Sequence, residues 1–526
     1  MTSAGVFDVA VVGYGPVGQL LAALLGQRGL RVLVLEKHQH LYGKPRAGHC
    51  DGETMRTFQS LGLAETLELL MRPITSYELV GADWKVLHRI AIGQSGSGWK
   101  ASYLFHQPQL EDVLDAAARS YPHVELRRNL EVTALSQDGD GVTLSGDGAS
   151  GSETFRARYV VGADGGNSAV RNLLGIGRTD LGFAPFEFLV VDFEHADPDR
   201  ALPAMGEVRQ VLDPARPTTA GRWNGNRWSR WEFMRMPGET REQMESDETC
   251  WQFLEPWGLK PGDGTIVRRT VYTFESQLAQ RWRDRRVLLA GDAAHTMPPF
   301  MAQGLCSGFR DALNLSWKLD LVLRDSVKGS LLDSYERERK PHVEAITQMA
   351  MSVGALVTET DPHRAQARDA ALAAGDPVLP HGFPVLNDGL LARGAGNALA
   401  PLAGQPAPQA RAYRDGRVAR LDDHIGCGWR IVTRHALKDQ INGHAPLLRA
   451  LDMSCAHVTR GCLADSFLDI DADYASWFAQ NGVELFVQRP DMYIFGAAAK
   501  VADLPQLLES LDTQMRGHGL CIGAGA

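Results

Sequence analysis

Short apolar runs alternate with a helical segment at the start of the chain. Residues 9–12 and Val32–Leu35 are continuous apolar runs of the length typical of buried parallel strands. Residues 19–25, between them, are rich in Ala and Leu, which favour helix. The pattern predicts a strand–helix–strand unit. Two later apolar runs, residues 159–161 and 287–290, predict two more buried strands of the same kind.

Three other stretches have the alternation or the β-branched content typical of sheet, with turn-rich sequence between them. They lie near residues 77–92, 188–193 and 229–236. Because they interrupt the apolar runs of the first kind, we expect a second, sheet-rich domain to be inserted between pieces of the first. Residues 311–357 have Leu, Ala and charged residues at helical spacing, with Pro341 as the one proline, and predict helix.

The carboxyl-terminal part of the chain predicts a separate small α/β domain. Proline and glycine crowd residues 375–408, which is typical of a linker. Strand-like segments then alternate with helical ones, and the predicted strands are residues 430–433, 462–470, 483–487 and 492–495.

The first strand–helix–strand unit carries a glycine triad at its turn. Gly13, Gly15 and Gly18 follow the first strand, and Glu36 ends the second strand eighteen residues after Gly18. The first glycine permits the tight turn, the second lets the backbone approach a pyrophosphate, and the third lets helix and strand pack closely. An acid at the position of Glu36 can accept from ribose hydroxyls. This combination predicts a dinucleotide site and disfavours NADP as its ligand.

Two later fragments predict that the chain returns to the same ligand. Residues 162–171 place Asp164 at the end of a strand, and residues 291–295 place Asp292 at the end of another. Open α/β sheets bind ligands at the carboxyl ends of their strands, where Asp292 could accept from a ribityl hydroxyl. Residues 303–308 open a helix whose amides could face the pyrimidine edge of a flavin. Together the three fragments predict FAD.

Composition and charge disfavour several classes of protein. The 526-residue chain has 54 Lys and Arg against 63 Asp and Glu, a net charge of −9 and an isoelectric point near 6.0, so a nucleic-acid partner is disfavoured. No apolar run reaches the roughly 18 residues that a membrane span requires. The first residues lead straight into a strand, which predicts a cytoplasmic protein without a signal peptide. The seven cysteines form no Cys-x-x-Cys pair, so neither a metal site nor a dithiol motif is predicted.

Most of the chain resembles the class A flavoprotein aromatic hydroxylases, the single-component group typified by para-hydroxybenzoate hydroxylase. Residues 13–18, 162–171 and 291–308 match the three fingerprints of that group. The motifs that resemble its branch of hydroxyphenylpropionate and hydroxycinnamate hydroxylases are residues 46–47, 105–111, 230–233, 237–240, 271–273, 278–281 and 489–493. Ala302, where a glycine is usual, and Cys306, where some members have asparagine, depart from the pattern.

The resemblance implies an α/β fold with three parts. These are a Rossmann-like FAD-binding domain of the GR2 type, an inserted β-sheet substrate domain and a thioredoxin-like C-terminal domain without redox cysteines. The FAD-binding domain is predicted at residues 1–75, 106–182 and 281–375, the last segment including the long helices. The other boundaries are predicted at residues 76–105 and 183–280 for the substrate domain, 376–404 for the linker and 405–526 for the C-terminal domain.

The resemblance also implies a reaction. NADH or NADPH would reduce FAD, dioxygen would add to the reduced flavin as a C4a-hydroperoxide, and this species would hydroxylate a phenolic ring. The implied substrate is a small phenolic acid of the hydroxyphenylpropionate kind. The alternatives are hydroxylation of a larger phenol, such as a polyketide or a hydroxyquinolone, and a non-hydroxylating FAD redox function. A homodimer is a candidate assembly.

The candidate site residues follow from the fragments and the resemblance. Arg230 is predicted to bind a substrate carboxylate, because arginine binds one bidentately, with pairing to Glu232 as the alternative. His49, His106 and Tyr272 are candidates for helping to ionise the phenol, and Tyr272 is also a candidate substrate contact. His295, at a strand end, is interpreted as a packing or hydrogen-bonding residue. The predicted flavin-binding residues are Gly13, Gly15, Pro16, Val17, Gly18, Glu36, Lys37, Arg46, Gln107, Asp164, Gly291, Asp292, Pro299, Gly304, Leu305 and Cys306.

Overall fold

An eight-stranded sheet forms the centre of the protein. The computed structural model describes residues 5–149, 151–223, 226–377, 382–437, 439–461, 463 and 465–521. Five strands of this sheet are parallel, in the order Val287–Leu289, Gly151–Gly162, Phe7–Val12, Val32–Leu35 and Val124–Arg127. Three antiparallel strands complete it, namely Arg283–Asp284, Val142–Gly148 and Leu130–Gln137.

The parallel strands are buried, as their continuous apolar sequence predicts. Helix Pro16–Gln27 begins at a proline, which is favoured at a first helical position. It packs against helices Gln107–Arg119 and Gly304–Leu323. The predicted helical segments at residues 19–25 and 311–357 are confirmed, the second as parts of two long helices. The remaining helices of this region are Gly52–Ser60, Ala64–Leu69, Ala169–Leu173, Asp333–Val357 and Pro362–Ala373, with short 3-10 turns at Gly291–Ala293, Pro299–Met301 and Gly329–Leu332.

A seven-stranded sheet forms the second layer. Its order is Gly264–Thr273, Glu187–His195, Trp228–Met234, Thr218–Trp223, Val208–Val211, Ser76–Val80 and Val86–Ala91. Two separate chain segments build this sheet, because Ser76–Val80 pairs in parallel with Val208–Val211. The strands predicted near residues 77–92, 188–193 and 229–236 all lie in it. Helices Arg241–Met244 and Asp247–Leu254 and the 3-10 turn Glu255–Trp257 follow its strand Trp228–Met234 along the chain.

Two further sheets have three strands each. Ser102–Phe105 pairs with His49–Asp51 and Met71–Pro73, so it does not belong to the seven-stranded sheet although it falls within the substrate segment predicted at residues 76–105. The other small sheet consists of Arg178–Asp180, Gln277–Ala279 and His295–Thr296. The first of these sheets matters for function, because it carries His49 and Asp51 towards the carboxyl ends of the parallel strands.

The C-terminal domain is thioredoxin-like and contains a seven-stranded mixed sheet. Its strands are, in order, Arg417–Arg420, Arg411–Arg414, Phe467–Asp469, Ser454–Thr459, Arg430–Thr433, Leu485–Gln488 and Ile494–Ala498. Its helices are Leu421–Ile425, Asp439–Asn442, Ala445–Ala450, Asp473–Asn481 and Leu504–Gly517, with a 3-10 turn at Val501–Asp503. The strand predicted at residues 462–470 begins at Phe467, and Cys462 lies outside the described residues.

The predicted linker packs against this domain where it is described. Leu386 and Leu391 are fully buried and form a small apolar cluster with Ala403 and Tyr493. A 3-10 turn at Ala395–Asn397 lies within the same stretch. The described residues of this stretch, rich in proline and glycine, therefore form a connection with little regular secondary structure that packs against the domain.

In the part of the chain that the structure describes, no helix is both long enough and apolar enough to cross a lipid bilayer. Within the same ranges, no three His, Cys, Asp or Glu side chains converge as metal ligands would.

Candidate cofactor and substrate site

A large cavity lies at the carboxyl ends of the parallel strands and reaches the seven-stranded sheet. Its volume is about 1070 Å³, slightly above the roughly 300–1,000 Å³ of ordinary ligand pockets. Gly13, Glu36, Asp164 and Asp292, which come from three distant parts of the sequence, all line it. The three fragments identified in the sequence therefore meet at one place, with room for a large cofactor and a smaller molecule beside it.

The glycine turn has the geometry that its sequence predicts. Gly13 has a φ of +100°, and a Cβ there would lie 2.4 Å from the backbone oxygen of Ala163. A Cβ on Gly18 would lie 2.1 Å from the Gly13 oxygen, so this glycine lets the helix approach the turn. Around Gly15, by contrast, no protein atom lies within 4 Å of a Cβ position. The turn is thus closed on its protein side and open on its cavity side.

Glu36 is fixed at the rim of the cavity by two backbone amides. Its Oε2 accepts from the Tyr14 amide at 2.8 Å, and its Oε1 accepts from the His38 amide at 2.9 Å. Each carboxylate oxygen can accept more than one hydrogen bond, so both remain able to accept from a ribose hydroxyl. Glu36 therefore lines the cavity with acceptor capacity to spare, and its contact with a ribose stays a prediction.

The two strand-end aspartates differ in how far the protein satisfies them. Asp164 accepts from the Ser168 hydroxyl at 2.5 Å and from the Val170 amide at 3.0 Å. Asp292 lines the cavity and accepts no hydrogen bond from any residue that the structure describes. Burial raises the pKa of the Asp292 carboxyl, while His295 and Arg46 lower it less. An unpaired acceptor in such a place is suited to a ligand hydroxyl.

Behind this wall, His295 belongs to a buried network. Its Nε2 lies 2.7 Å from Asp311 Oδ2, and Asp311 Oδ1 accepts from Arg339 Nε at 2.9 Å. The Gly291 amide donates to the same Asp311 Oδ2 at 3.1 Å. Asp311 thus links the buried ring of His295 to the turn that presents Asp292.

The start of helix Gly304–Leu323 forms another part of the wall. Gly304 and Leu305 line the cavity, so the helix N-terminus faces it. Ala302, just before the helix, has a φ of +51°, a left-handed conformation that costs a non-glycine residue about 1–2 kcal/mol. This conformation accounts for the glycine that is usual at this position. Cys306 is buried behind the wall, with its Sγ 3.9 Å from the His49 backbone oxygen.

Gln107 braces the loop that carries Arg46. Its Oε1 accepts from the backbone amides of Arg46 and Ala47 at 2.7 and 2.6 Å, and its Nε2 donates to Glu111 Oε1 at 2.5 Å. The Arg46 guanidinium lies over the Tyr42 ring, 4.7 Å from its centroid. Both predicted contacts line the cavity, and the Gln107 side chain also fixes the backbone beside it.

Arg230 is engaged by the protein itself. Its Nε and Nη2 donate to the two carboxylate oxygens of Asp192 at 2.7 and 3.2 Å. Its Nη1 and Nη2 also donate to the backbone oxygens of Arg46 and Pro45, at 2.7 and 3.0 Å. Four of its five N–H donors are used in this way, so the structure does not leave Arg230 a free fork for a substrate carboxylate. It instead ties the Arg46 loop to the seven-stranded sheet.

Of the three candidates for phenol ionisation, only His49 lines the cavity among the residues described. Its Nδ1 lies 3.3 Å from the Ala302 oxygen and its Nε2 lies 2.7 Å from the Ser102 hydroxyl, and burial lowers its pKa. His106 stacks on Trp228 with ring centroids 4.2 Å apart, and burial lowers its pKa to about 4. Tyr272 packs under the Arg268 guanidinium, 4.8 Å away. The structure does not bring His106 or Tyr272 to the site.

The residues present fit FAD. The open glycine turn, the unpaired Asp292 carboxylate and the helix N-terminus at Gly304 would receive its pyrophosphate, ribityl chain and pyrimidine edge in turn. The predicted flavin-binding residues that line the cavity are Gly13, Gly15, Pro16, Val17, Glu36, Lys37, Arg46, Gln107, Asp164, Asp292, Pro299, Gly304 and Leu305. The other three predicted flavin-binding residues are buried and do not line the cavity, namely Gly18, Gly291 and Cys306.

Asp292→Ala is expected to weaken FAD binding by about one to two orders of magnitude. The variant loses a charge-assisted hydrogen bond worth about 1.5–3 kcal/mol, and each 1.4 kcal/mol is about tenfold in affinity. Titration of the flavin-free protein with FAD, followed by fluorescence quenching, measures the change. Asp284→Ala, at a sheet edge outside the cavity, is the matched control. Equal affinities of wild type and Asp292→Ala would contradict the assignment.

Sequence reasoning missed part of the site. Tyr77, Gln210 and Thr219 line the cavity from the seven-stranded sheet, beside Glu232, which was considered only as a partner of Arg230. Their signal in the sequence is weak. Each is a polar residue within a strand, and only the register of the sheet shows that all four lie on the face towards the cavity.

Comparison with known proteins identifies relatives over nearly the whole chain. The model of the FAD binding domain family matches residues 6–350, and that of the HcaD C-terminal domain matches residues 404–514. A protein of Rhodococcus jostii (strain RHA1) named probable NADH-specific resorcinol 4-hydroxylase is 39% identical over 516 residues, 96% of this chain and 94% of the relative. A 3-(3-hydroxy-phenyl)propionate/3-hydroxycinnamic acid hydroxylase of Shigella sonnei (strain Ss046) is 33% identical over 95% of this chain and 92% of the relative.

Solved structures share the fold at lower sequence identity. The flavin-dependent monooxygenase PieE, in complex with FAD and substrate, matches with a TM-score of 0.82 and 22% identity, over 98% of this chain and 99% of that one. Aklavinone-11 hydroxylase, in a ternary complex with FAD and aklavinone, matches with a TM-score of 0.77 and 24% identity, over 96% and 99%. The three-part architecture of this chain is therefore that of known FAD-containing enzymes.

Proposed function

Because the chain belongs to the family of single-component, FAD-dependent aromatic hydroxylases, we propose that it hydroxylates a small phenolic compound, with NADH as reductant and dioxygen as co-substrate. The observation that carries the proposal is the continuity of the cavity, which joins the strand-end wall to the seven-stranded sheet. A flavin held at the first wall would face a substrate held at the second. The FAD-dependent monooxygenase class follows from the family, and the substrate and the residue roles are our proposal.

Bound FAD supplies the transfer of electrons and the activation of dioxygen. The chain binds the cofactor and the substrate and excludes water from the reacting atoms. Glu36 and the glycine turn would hold the adenosine half, and Asp292 would hold the ribityl chain. Apolar side chains at the substrate end keep the reacting atoms dry, which limits wasteful release of peroxide; they include Ile74, Leu79, Ile90, Ile92, Val208 and Phe300.

Two substrate classes are candidates. A phenolic acid of the hydroxyphenylpropionate kind is the first, in keeping with the names of several relatives. An uncharged dihydroxybenzene is the second, and a specific observation favours it. The Arg230 guanidinium is occupied by Asp192 and two backbone oxygens, so it offers little to a carboxylate. The relative from Rhodococcus is named for such a compound.

The experiment that tests the proposal measures coupled turnover. The purified protein is mixed with NADH or NADPH and with resorcinol or 3-(3-hydroxyphenyl)propionate, while reductant, dioxygen, peroxide and product are followed together. We expect a phenol to stimulate NADH oxidation, with about one dioxygen consumed for each NADH and little peroxide released. Release of one peroxide for each NADH with every phenol, without hydroxylated product, would instead indicate a non-hydroxylating redox protein.

Glu36→Ala is expected to weaken FAD binding and to leave the preference between NADH and NADPH unchanged. The reason is that Glu36 fixes the glycine turn and faces the FAD ribose, whereas the reductant would bind elsewhere and only transiently. Measurement of the FAD dissociation constant and of kcat/KM for both reductants checks this. A switch to NADPH in Glu36→Arg would show that the turn binds the nicotinamide cofactor.

Location and assembly complete the proposal. We propose a cytoplasmic enzyme that works as a homodimer and binds no nucleic acid, in keeping with its net charge of −9. Light scattering coupled to size-exclusion chromatography gives the mass of the particle. A mass near 57.5 kDa, that of one chain, would contradict the dimer.

A further inference from the structure

The sheet side of the cavity carries a row of four polar side chains. Tyr77, Gln210, Thr219 and Glu232 come from four neighbouring strands of the seven-stranded sheet and all line the cavity. Gln210 lies opposite Thr219 in the register, and Thr219 lies opposite Glu232. We call these four side chains the acceptor row.

Hydrogen bonds within the row use up its hydroxyl protons. Tyr77 Oη donates to Gln210 Oε1 at 3.0 Å, and Thr219 Oγ1 donates to the same oxygen at 2.7 Å. The Gln210 Nε2 donates to the Thr218 backbone oxygen at 3.2 Å, which fixes the orientation of the amide. Since a hydroxyl oxygen keeps acceptor lone pairs after its proton is used, Tyr77 and Thr219 face a ligand as hydrogen-bond acceptors.

Glu232 ends the row with a carboxyl group that lacks a donor. Its side chain is 17% exposed, and its contact with charge is the Arg230 Nη1 at 3.9 Å. It accepts no hydrogen bond from the residues within the described ranges. Burial raises its pKa, Asp192 on the next strand raises it further, and Arg230 and Arg268 lower it. Burial raises the pKa of Tyr77, on the far strand of the row, and the Glu232 charge raises it further.

A wall made of acceptors selects for ligands that donate. An unpaired buried acceptor is costly until a ligand group donates to it, and phenolic O–H groups are such donors. A ligand carboxylate would instead be repelled, because it would face the lone pairs of acceptor oxygens and the negative charge of Glu232. The hydroxyl-bearing edge of an aromatic ring therefore fits this wall, and any acidic chain on the ring must point away from it.

Resting on the proposed phenol hydroxylation, we propose that the acceptor row binds the phenolic hydroxyls of the substrate and that Glu232 takes the proton of one of them. The phenolic O–H bond breaks and an O–H bond forms on the Glu232 carboxylate. The electron pair stays on the ring oxygen. Its donation into the ring makes the ring carbons more nucleophilic towards the electrophilic oxygen atom that is transferred. The proton passes to solvent when the product leaves, so the carboxylate is restored for the next turnover.

Glu232→Gln is the direct test, with resorcinol as the probe and NADH as the reductant. The amide keeps the size of the side chain but cannot take a proton, and loss of general-base help typically costs at least about 10²-fold. We expect the rate of oxygen transfer to fall about 10²-fold and peroxide to replace product, while the FAD content stays at the wild-type value. In wild type the rate of oxygen transfer should fall as pH drops through the raised pKa of Glu232. The pH profile of Glu232→Gln should lack this acid limb.

Two further variants separate this role from a structural one. Glu232→Asp keeps a carboxylate and should retain the acid limb with partial activity. Glu194→Gln removes a carboxylate on an adjacent strand, where Glu194 pairs with Arg227 away from the cavity, and should behave as wild type. An unchanged pH profile and unchanged coupling in Glu232→Gln would overturn the inference while phenol hydroxylation stood. Failure of the wild-type protein to hydroxylate any phenol would overturn the proposed function itself.

Discussion

Gly13→Ala is expected to leave the protein without FAD and to destabilise the central sheet. The added Cβ would lie 2.4 Å from the Ala163 oxygen and 2.7 Å from the Asp164 Cα, both backbone atoms. The strands on either side are held in register, with Val12 opposite Gly162, so neither can move aside without loss of sheet pairing. Left-handed strain of about 1–2 kcal/mol adds to an overpacking cost of about 1–3 kcal/mol. Flavin absorbance per protein and the thermal melting of the flavin-free protein measure both effects.

Gly15→Ala is the matched control, two residues away in the same turn. No protein atom lies within 4 Å of a Cβ at this position, and its φ of −73° is ordinary for alanine. The flavin-free variant should therefore melt as wild type does, while FAD binds more weakly because the methyl group occupies the side from which a pyrophosphate would approach. If both variants kept wild-type flavin content, the glycine turn would not be the binding site of FAD.

The contrast between these glycines shows which parts of the site the sequence could predict. A glycine triad between a strand and a helix is a local pattern, and its geometry follows from backbone sterics alone. The strand ends at Asp164 and Asp292 were equally predictable, because parallel strands in one sheet end at a common edge. The fold of the FAD-binding part was therefore contained in short stretches of sequence.

The residues that line the substrate end of the cavity could not be predicted from local sequence patterns. Which face of a strand a side chain occupies depends on register, and a slip of one residue reverses every assignment. Strand Glu187–His195 has such an irregularity between Asp192 and Phe193, in its pairing with Gly264–Thr273, the strand that carries Tyr272. Arg230 is occupied by Asp192, 38 residues earlier in the chain, a pairing without a local signature. His106 precedes a cavity residue in sequence but stacks on Trp228 instead.

The junction with the C-terminal domain was also beyond sequence reasoning, because it is made of charges that would ordinarily be expected at the surface. Arg56 of the FAD-binding part donates bidentately to Asp422, at 2.7 and 3.1 Å. Glu338 accepts from Lys318 Nζ at 2.6 Å and from Arg489 Nη2 at 2.6 Å, with all three side chains fully buried. The backbone amide of Leu390, in the linker, donates to Glu338 at 2.9 Å. Glu338 thus joins the long helix, the linker and the C-terminal domain.

Glu338→Ala is expected to destabilise the protein by about 3–5 kcal/mol. Removing one partner of a buried ion pair leaves the other charge without compensation. In Glu338→Ala, Lys318 and Arg489 both lose the Glu338 carboxylate in a fully buried place. The free energy of unfolding, from denaturant titration, gives the change. Glu344→Ala, on the exposed face of the same helix, should stay within about 0.5 kcal/mol of wild type. Comparable effects of the two variants would mean that the junction contributes little.

The same cluster makes stability depend on pH. Burial by itself raises the pKa of Glu338, but the charges of Arg489 and Lys318 more than offset this and lower it to about 2, from an ordinary 4.5. A carboxyl whose pKa is lower in the folded state stabilises the fold above its unfolded value, and it loses that contribution as pH falls from about 4.5 towards 2. At about 1.36 kcal/mol per unit, the loss is about 3 kcal/mol. The stability difference between wild type and Glu338→Gln should therefore shrink across this window, and a constant difference would show that Glu338 is not ionised in the folded protein.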